Sequence, residues 1–202
     1  MSTQSLPTAA VAPVAPAPSG RRIPGEEGLW VFILGDMTIF ALFFGTILVT
    51  RGDDPVTFAS SQHELHPVLG IVNTALLLTG SLLVIHGLRR LGDGTAVASR
   101  FFGLTLVCAL GFAAVKATEY ALLIGEGHTG GSNDFFMYYF VFTGIHLVHL
   151  VIGTVVVFFI ARIARRPQIT PGQQKFAECG AIYWHMVDLL WLVLFPLLYM
   201  IR

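Results

Sequence analysis

The chain has 202 residues, 54% hydrophobic and only 12% charged, about half the charged fraction near 25% of an ordinary soluble domain. Twelve basic side chains balance twelve acidic ones, and no long basic run is present, so composition gives no reason to look for a nucleic-acid partner. A mean hydropathy of +0.73 comes from apolar runs of about twenty residues or more, the length that crosses roughly 30 Å of hydrocarbon as a helix, and water-soluble folding is set aside.

Residues 1 to 22 are rich in Pro, Ala, Ser and Thr and carry their only positive charges, Arg21 and Arg22, at the far end, an order wrong for a signal peptide. Such a composition cannot offset the entropy of ordering. A flexible cytoplasmic tail is expected over residues 1–23, followed by one membrane domain over 24–202.

Five apolar segments come next: Leu29 to Thr50, Val68 to Leu88, Phe101 to Ile124, Phe135 to Ile160, and Phe176 to Ile201. The hydrophilic connectors between them, residues 51–67, 89–100, 125–134 and 161–175, are too short to be domains. The segments are continuously apolar, whereas barrel strands would be about ten residues long and alternate in polarity. The expected fold class is therefore all-α, an integral membrane bundle of five transmembrane helices. Arg21, Arg22, Arg89, Arg90, Arg100, Arg162, Arg165, Arg166 and Lys175 would gather on one face, against Arg51 and Arg202 on the other. That bias predicts a multi-pass protein of the bacterial cytoplasmic membrane with its N-terminus cytoplasmic and its C-terminus periplasmic.

Several polar side chains fall inside these segments, where an ionisable group costs roughly 2.5–3.5 kcal/mol and seeks protein partners or water. Trp30, at the inner end of the first span, fits an interfacial aromatic. Asp36 is too short to reach the surface from its depth. It is expected either to bond a neighbouring helix, or to be protonated, or to serve a proton or lipid site. Lys116 and Glu119 stand three apart on the third span, on one face and within contact distance, with Tyr120 beside them. A neutralising pair is the plain account.

His146 and His149 repeat that spacing on the fourth span. Two ligands do not make a metal site, and the other histidines, His86, His185, His63, His66 and His128, are scattered, so no metal centre is expected in this chain. On the fifth span Glu178, His185 and Asp188 share a sector of about 80° and are expected to face protein. Trp184 and Trp191 beside them would pack on other helices or meet lipid. Gly45, Gly80, Gly111 and Gly153 read as close-packing positions. Cys108 and Cys179 have no ligand spacing and read as small hydrophobes.

Together these residues resemble a known family, the subunit III of haem-copper terminal oxidases, from about residue 24 to the end. The fifth span, Glu178-Cys-Gly-Ala-Ile-Tyr-Trp-His185-Met-Val-Asp188-Leu-Leu-Trp191, resembles the family's E-x6-WHFVDVVW signature, departing at Met186, Leu189 and Leu190. Thr143-Gly-Ile-His146-Leu-Val-His149-Leu-Val-Ile-Gly153 is similar to its TGFHGLHVxxG, and Asn73-Thr74 to its L-N-T pattern. Lys116-Ala-Thr-Glu119-Tyr120 matches its (Q/K)-x-x-E-Y element. Gly35-Asp36 stands where the family usually has Ser-Glu, an acid near the proton-uptake side, one methylene longer. The opening from Pro24 to Trp30, together with Asp36, further resembles the NorE-like branch encoded beside nitric oxide reductases.

The resemblance implies a short, five-helix form of a non-catalytic subunit. It would dock on the catalytic subunit I of a haem-copper oxidase or nitric oxide reductase, which would hold the haem and copper. Structural phospholipid would be its own ligand, and complex stability and proton uptake its role. Asp36, Glu119 and Lys116 become candidates for proton uptake or the lipid cleft. His146, His149, Glu178, His185 and Asp188 become a structural polar cluster, and Trp30, Trp184 and Trp191 lipid-facing or packing aromatics. A stand-alone proton or ion transporter using Asp36, Glu119, His185 and Asp188, and an assembly factor that binds the complex transiently, are the alternatives.

Overall fold

A computed structural model describes residues 26–93 and 97–200; the expected tail over 1–23, the start of the membrane domain at Pro24 and Gly25, and Ile201 and Arg202 lie outside the described residues. Among the described residues there are six helices: α1 (Glu27–Asp53), α2 (Pro55–His63), α3 (Pro67–Arg89), α4 (Val97–Gly125), α5 (Asp134–Ile163) and α6 (Pro171–Tyr199). Five of them, all but α2, are long and apolar enough to span a membrane, and the chain is a multi-pass membrane protein of all-α class.

The helices overrun the apolar segments because capping residues sit outside them. Thr170 and Gln173 form a reciprocal capping box ahead of Pro171, so α6 starts five residues before the apolar run at Phe176. Asn133 accepts from the Phe136 N–H at 3.0 Å to cap α5, and its amide donates to the Ser61 hydroxyl at 2.8 Å, tying α5 to α2. The connector over 51–67 holds the helix that segment length did not reveal. Asp54 accepts from the Thr57 N–H at 3.1 Å and Pro55 occupies the first turn, together nucleating α2.

Helices α3, α4, α5 and α6 form the body of the bundle, with α3 packed closely on α4 and α6 laid against both α3 and α5. Glycines set the close approaches. A Cβ at Gly80 would meet Trp184 at 3.4 Å, one at Gly111 would meet Leu76 at 3.4 Å, and one at Gly153 would meet Trp184 at 3.3 Å, in line with the packing role expected of them. Gly45 differs: nothing lies within 4 Å of its Cβ position, because α1 stands at the edge of the bundle. The tightest approaches are at Gly70, Gly87 and Gly180, none of which the sequence singled out.

Helix α1 buries only Ile33, Phe40 and Ile47. It lies along α6 and reaches α5 through side chains: Asp36 to His149, Phe43 stacked on Phe142 with centroids 5.2 Å apart, and Thr50 to the Tyr138 hydroxyl at 3.0 Å. The bundle's two ends are joined separately. At one, Arg165 Nε donates to the Ser99 hydroxyl at 3.1 Å and Lys175 pairs with Glu26 at 3.4 Å. At the other, the Gln62 amide donates to the Leu198 carbonyl at 3.1 Å.

Candidate functional site: two proton-bearing side-chain groups

Asp36 projects from α1 nine residues beyond Glu27, roughly 14 Å along the axis. Its Oδ1 lies 3.2 Å from His149 Nε2 on α5, and the two side chains are 13% and 15% exposed. The other histidine nitrogen fixes the proton count. Nδ1 lies 2.9 Å from the Ile145 carbonyl, which can only accept, so Nδ1 carries a hydrogen. A single further proton must then lie between Nε2 and Oδ1, held either by a neutral carboxylic acid or by an imidazolium. Both forms leave the pair with zero net charge: the shift turns a neutral acid and imidazole into an ion pair without adding net charge in hydrocarbon. Phe40 packs edge-on against the His149 ring, with centroids 5.6 Å apart, and Asp36 Oδ2 is enclosed without a protein partner among the described residues.

Lys116 and Glu119 do form the pair the spacing predicted, at 2.9 Å and fully buried. The ammonium has three hydrogens and three acceptors: Glu119 Oε2 at 2.9 Å, the Tyr139 hydroxyl at 3.0 Å and the Tyr199 hydroxyl at 2.9 Å. Tyr199 donates its own proton to Glu119 Oε1 at 2.6 Å. Rings close around the charge, with Nζ 4.6 Å from the Tyr139 centroid and 5.1 Å from that of Trp191. Tyr120 extends the layer. The Thr143 hydroxyl gives its one proton to the Tyr139 carbonyl, so Tyr120 is the donor to Thr143. A saturated charge pair of this kind locks α4, α5 and α6 together.

The two sites are separate. Tyr139, which touches Lys116, and His149, which touches Asp36, are ten residues apart on α5, roughly 15 Å of rise. Asp36 therefore is not brought together with Lys116 and Glu119. Tyr199 lines a cavity of about 100 Å³ with Gln62, His63 and Pro67, at the end of the bundle where α2 lies.

The five residues expected as one polar cluster are dispersed. His146 is sealed between Phe112 and Trp191, with centroids at 5.6 and 5.2 Å, and neither ring nitrogen has a protein partner among the described residues. Glu178 accepts from Gln174 on its own helix. His185 Nδ1 bonds the Ser81 hydroxyl of α3 at 2.6 Å. Asp188 is buried at 5% exposure, one oxygen unpartnered among the described residues. The shared sector on α6 is thus only partly turned to protein: Asp188 is buried and the half-buried His185 reaches Ser81 of α3, whereas the half-buried Glu178 meets Gln174 of its own helix. The reason is that α1 and α3 flank that face of α6 without closing over it.

Of the aromatics, Trp184 and Trp191 are core residues, Trp191 donating to the Thr74 hydroxyl at 3.0 Å. Trp30, on the first turn of α1, is 38% exposed. Among the described residues no three His, Cys, Asp or Glu side chains converge as metal ligands, and the sealed His146 and fully engaged His149 do not fit haem iron or copper.

The family model described as cytochrome c oxidase subunit III matches residues 26–201. The chain belongs to that family. It is similar to the probable cytochrome c oxidase subunit 3 of Nocardia farcinica, 26% identical over 176 residues that cover 87% of each chain. It is similar also to the cytochrome bo(3) ubiquinol oxidase subunit 3 of Pseudomonas putida, 26% identical over 178 residues, 86% of this chain and 84% of the relative. The cytochrome c oxidase subunit 3 of Corynebacterium diphtheriae is 28% identical over 179 residues, 87% of each chain. For a subunit III, the helix motifs that carried the resemblance acquire places: Thr143 and His149 on α5 serve the two different proton-bearing groups, and Trp191 on α6 roofs the Lys116 charge.

Proposed function

We propose that this subunit III docks on the haem- and copper-bearing catalytic subunit of a proton-coupled terminal oxidase and supports its proton uptake, its stability and its bound lipid. The supporting observation is the 3.2 Å contact of Asp36 and His149 between α1 and α5, two groups able to share one proton inside the membrane-spanning bundle. In this reading the chain supplies no redox centre; haem and copper in the partner reduce the acceptor. Within the pair one proton moves between the Asp36 carboxyl and His149 Nε2 across the 3.2 Å contact, so the pair stores a proton and gives it back on the Asp36 side. The exposed apolar faces of α1 offer the lipid-binding surface. The basic residues Arg89, Arg90, Arg100, Arg162, Arg165, Arg166 and Lys175 support a reading in which their end of the bundle faces the cytoplasm of a bacterial inner membrane, with the N-terminus inside and the C-terminus outside. An accessory role beside nitric oxide reductase is the second reading, carried only by the Pro24 to Trp30 stretch with Asp36.

Asp36→Asn tests the proposal. The amide N–H still donates to His149 Nε2, so geometry and assembly are retained while the exchangeable proton is lost. The partner oxidase is expected to turn over more slowly where proton uptake limits, or to inactivate faster during turnover. Unchanged rate and unchanged inactivation would leave Asp36 a structural hydrogen bond only.

A further inference from the structure

Helices α1 and α6 enclose a groove of about 430 Å³ lined by Trp30, Ile33 and Met37 on one side and by Ile182, His185, Met186 and Leu189 on the other. The α1 residues are spaced three and four apart and the α6 residues three, one and three. These are the ridge spacings into which another helix packs. The α6 lining rises over seven residues, roughly 10 Å, which is about two turns and comparable to the width of one helix.

One lining side chain does not suit a lipid tail. His185 is fourteen residues from Pro171 and fourteen from Tyr199, roughly 21 Å from either end of α6 and so near the centre of the hydrocarbon. Its Nδ1 is held by Ser81 at 2.6 Å, which fixes the ring against α3. Nε2 has no hydrogen-bond partner among the described residues and is not among the enclosed unpartnered atoms, so it stays open. An acyl chain cannot bond it, and a phospholipid headgroup is confined to the interface, far above or below. A polar side chain on a transmembrane helix can reach it, because interhelical hydrogen bonds at this depth are how membrane helices are held in register.

We propose that the groove between α1 and α6 is the seat of a transmembrane helix from a partner subunit, which presents a hydrogen-bonding side chain to His185 at mid-membrane. This inference rests on the reading of the chain as an oxidase subunit and names the surface by which it docks. Ser81 acts as the positioning residue, setting the imidazole so that Nε2 points away from α3.

The test uses the full chain in native membranes, tagged. A photoreactive benzophenone amino acid replaces Leu189, which is 47% exposed and lines the groove, or Leu110 of α4, which is 65% exposed and lies outside it. The Leu189 probe is expected to join the chain covalently to a haem-containing partner subunit, and the Leu110 probe is not. Separately, His185→Leu is expected to lower the partner recovered per tagged chain by about three- to tenfold, with His185→Gln retaining most of it. The amount of chain in the membrane checks that neither variant has failed to fold. Adducts of the Leu189 probe with lipid alone, or with a second copy of this chain, would overturn the proposal, as would full partner recovery with His185→Leu. If the unmodified tagged chain recovers no haem-containing subunit at all, the subunit reading fails first; if it recovers one that Leu189 never reaches, only the groove assignment fails.

Discussion

Replacing Lys116 with methionine keeps the length and apolar stem of the side chain but removes a charge that three acceptors surround. Glu119 is then a fully buried carboxylate whose remaining donor is the Tyr199 hydroxyl at 2.6 Å. Breaking one side of such a pair costs about 3–5 kcal/mol, and the surviving donor places Lys116→Met near the lower end, about 3 kcal/mol. Glu119→Leu leaves the ammonium with two tyrosine hydroxyls and the ring faces of Tyr139 and Trp191, and a similar loss of about 3 kcal/mol is expected. The double variant removes both charges. Its cost should fall to about 1–2 kcal/mol, from the hydroxyls left without partners. SDS titration of the full chain in mixed micelles, followed by tryptophan fluorescence, measures all three. A double variant as unstable as the sum of the singles would refute the claim that the pair is mutually compensated.

Gly87→Ala should destabilise by about 1–3 kcal/mol, because its Cβ would sit 2.9 to 3.1 Å from three atoms of the wholly buried Phe102 ring. Gly45→Ala should change the same titration by less than about 0.5 kcal/mol, since nothing lies within 4 Å. Tyr199→Phe removes a donor from Glu119 and an acceptor from Lys116, with an expected loss of about 1–3 kcal/mol in the same assay. The Asp54 carboxyl is held below its ordinary range by its hydrogen bonds from Thr57. Its capping contribution to α2 is therefore present above the ordinary carboxylate range and lost as pH falls through the lowered value. Amide-exchange protection at Phe58, normalised for intrinsic rate, should drop on acidification in the wild type and start low in Asp54→Ala.

The spans were legible because their length answers to the thickness of hydrocarbon, and the Lys116 and Glu119 pair because a three-residue spacing fixes contact within one helix. Asp36 and His149 are 113 residues apart in sequence, and no local spacing could announce that they meet. His146 and His149 look alike in sequence, yet a rotation of three residues turns one ring into the Phe112 and Trp191 core and the other toward α1. Helix α2 was hidden by reading hydropathy alone, although Asp54 and Pro55 gave a start signal. Sequence does not separate the tightly approached Gly70, Gly87 and Gly180 from the open Gly45, because the worth of a small residue depends on what the opposing helix brings to that height.

The most direct measurement is to purify the tagged chain from its native membrane in mild detergent and record subunit stoichiometry together with reduced-minus-oxidised spectra. A catalytic subunit is expected in equal amount, its haem signal remaining with that subunit when this chain is stripped away. A chain that migrates alone, or haem that stays with this polypeptide after stripping, would contradict it.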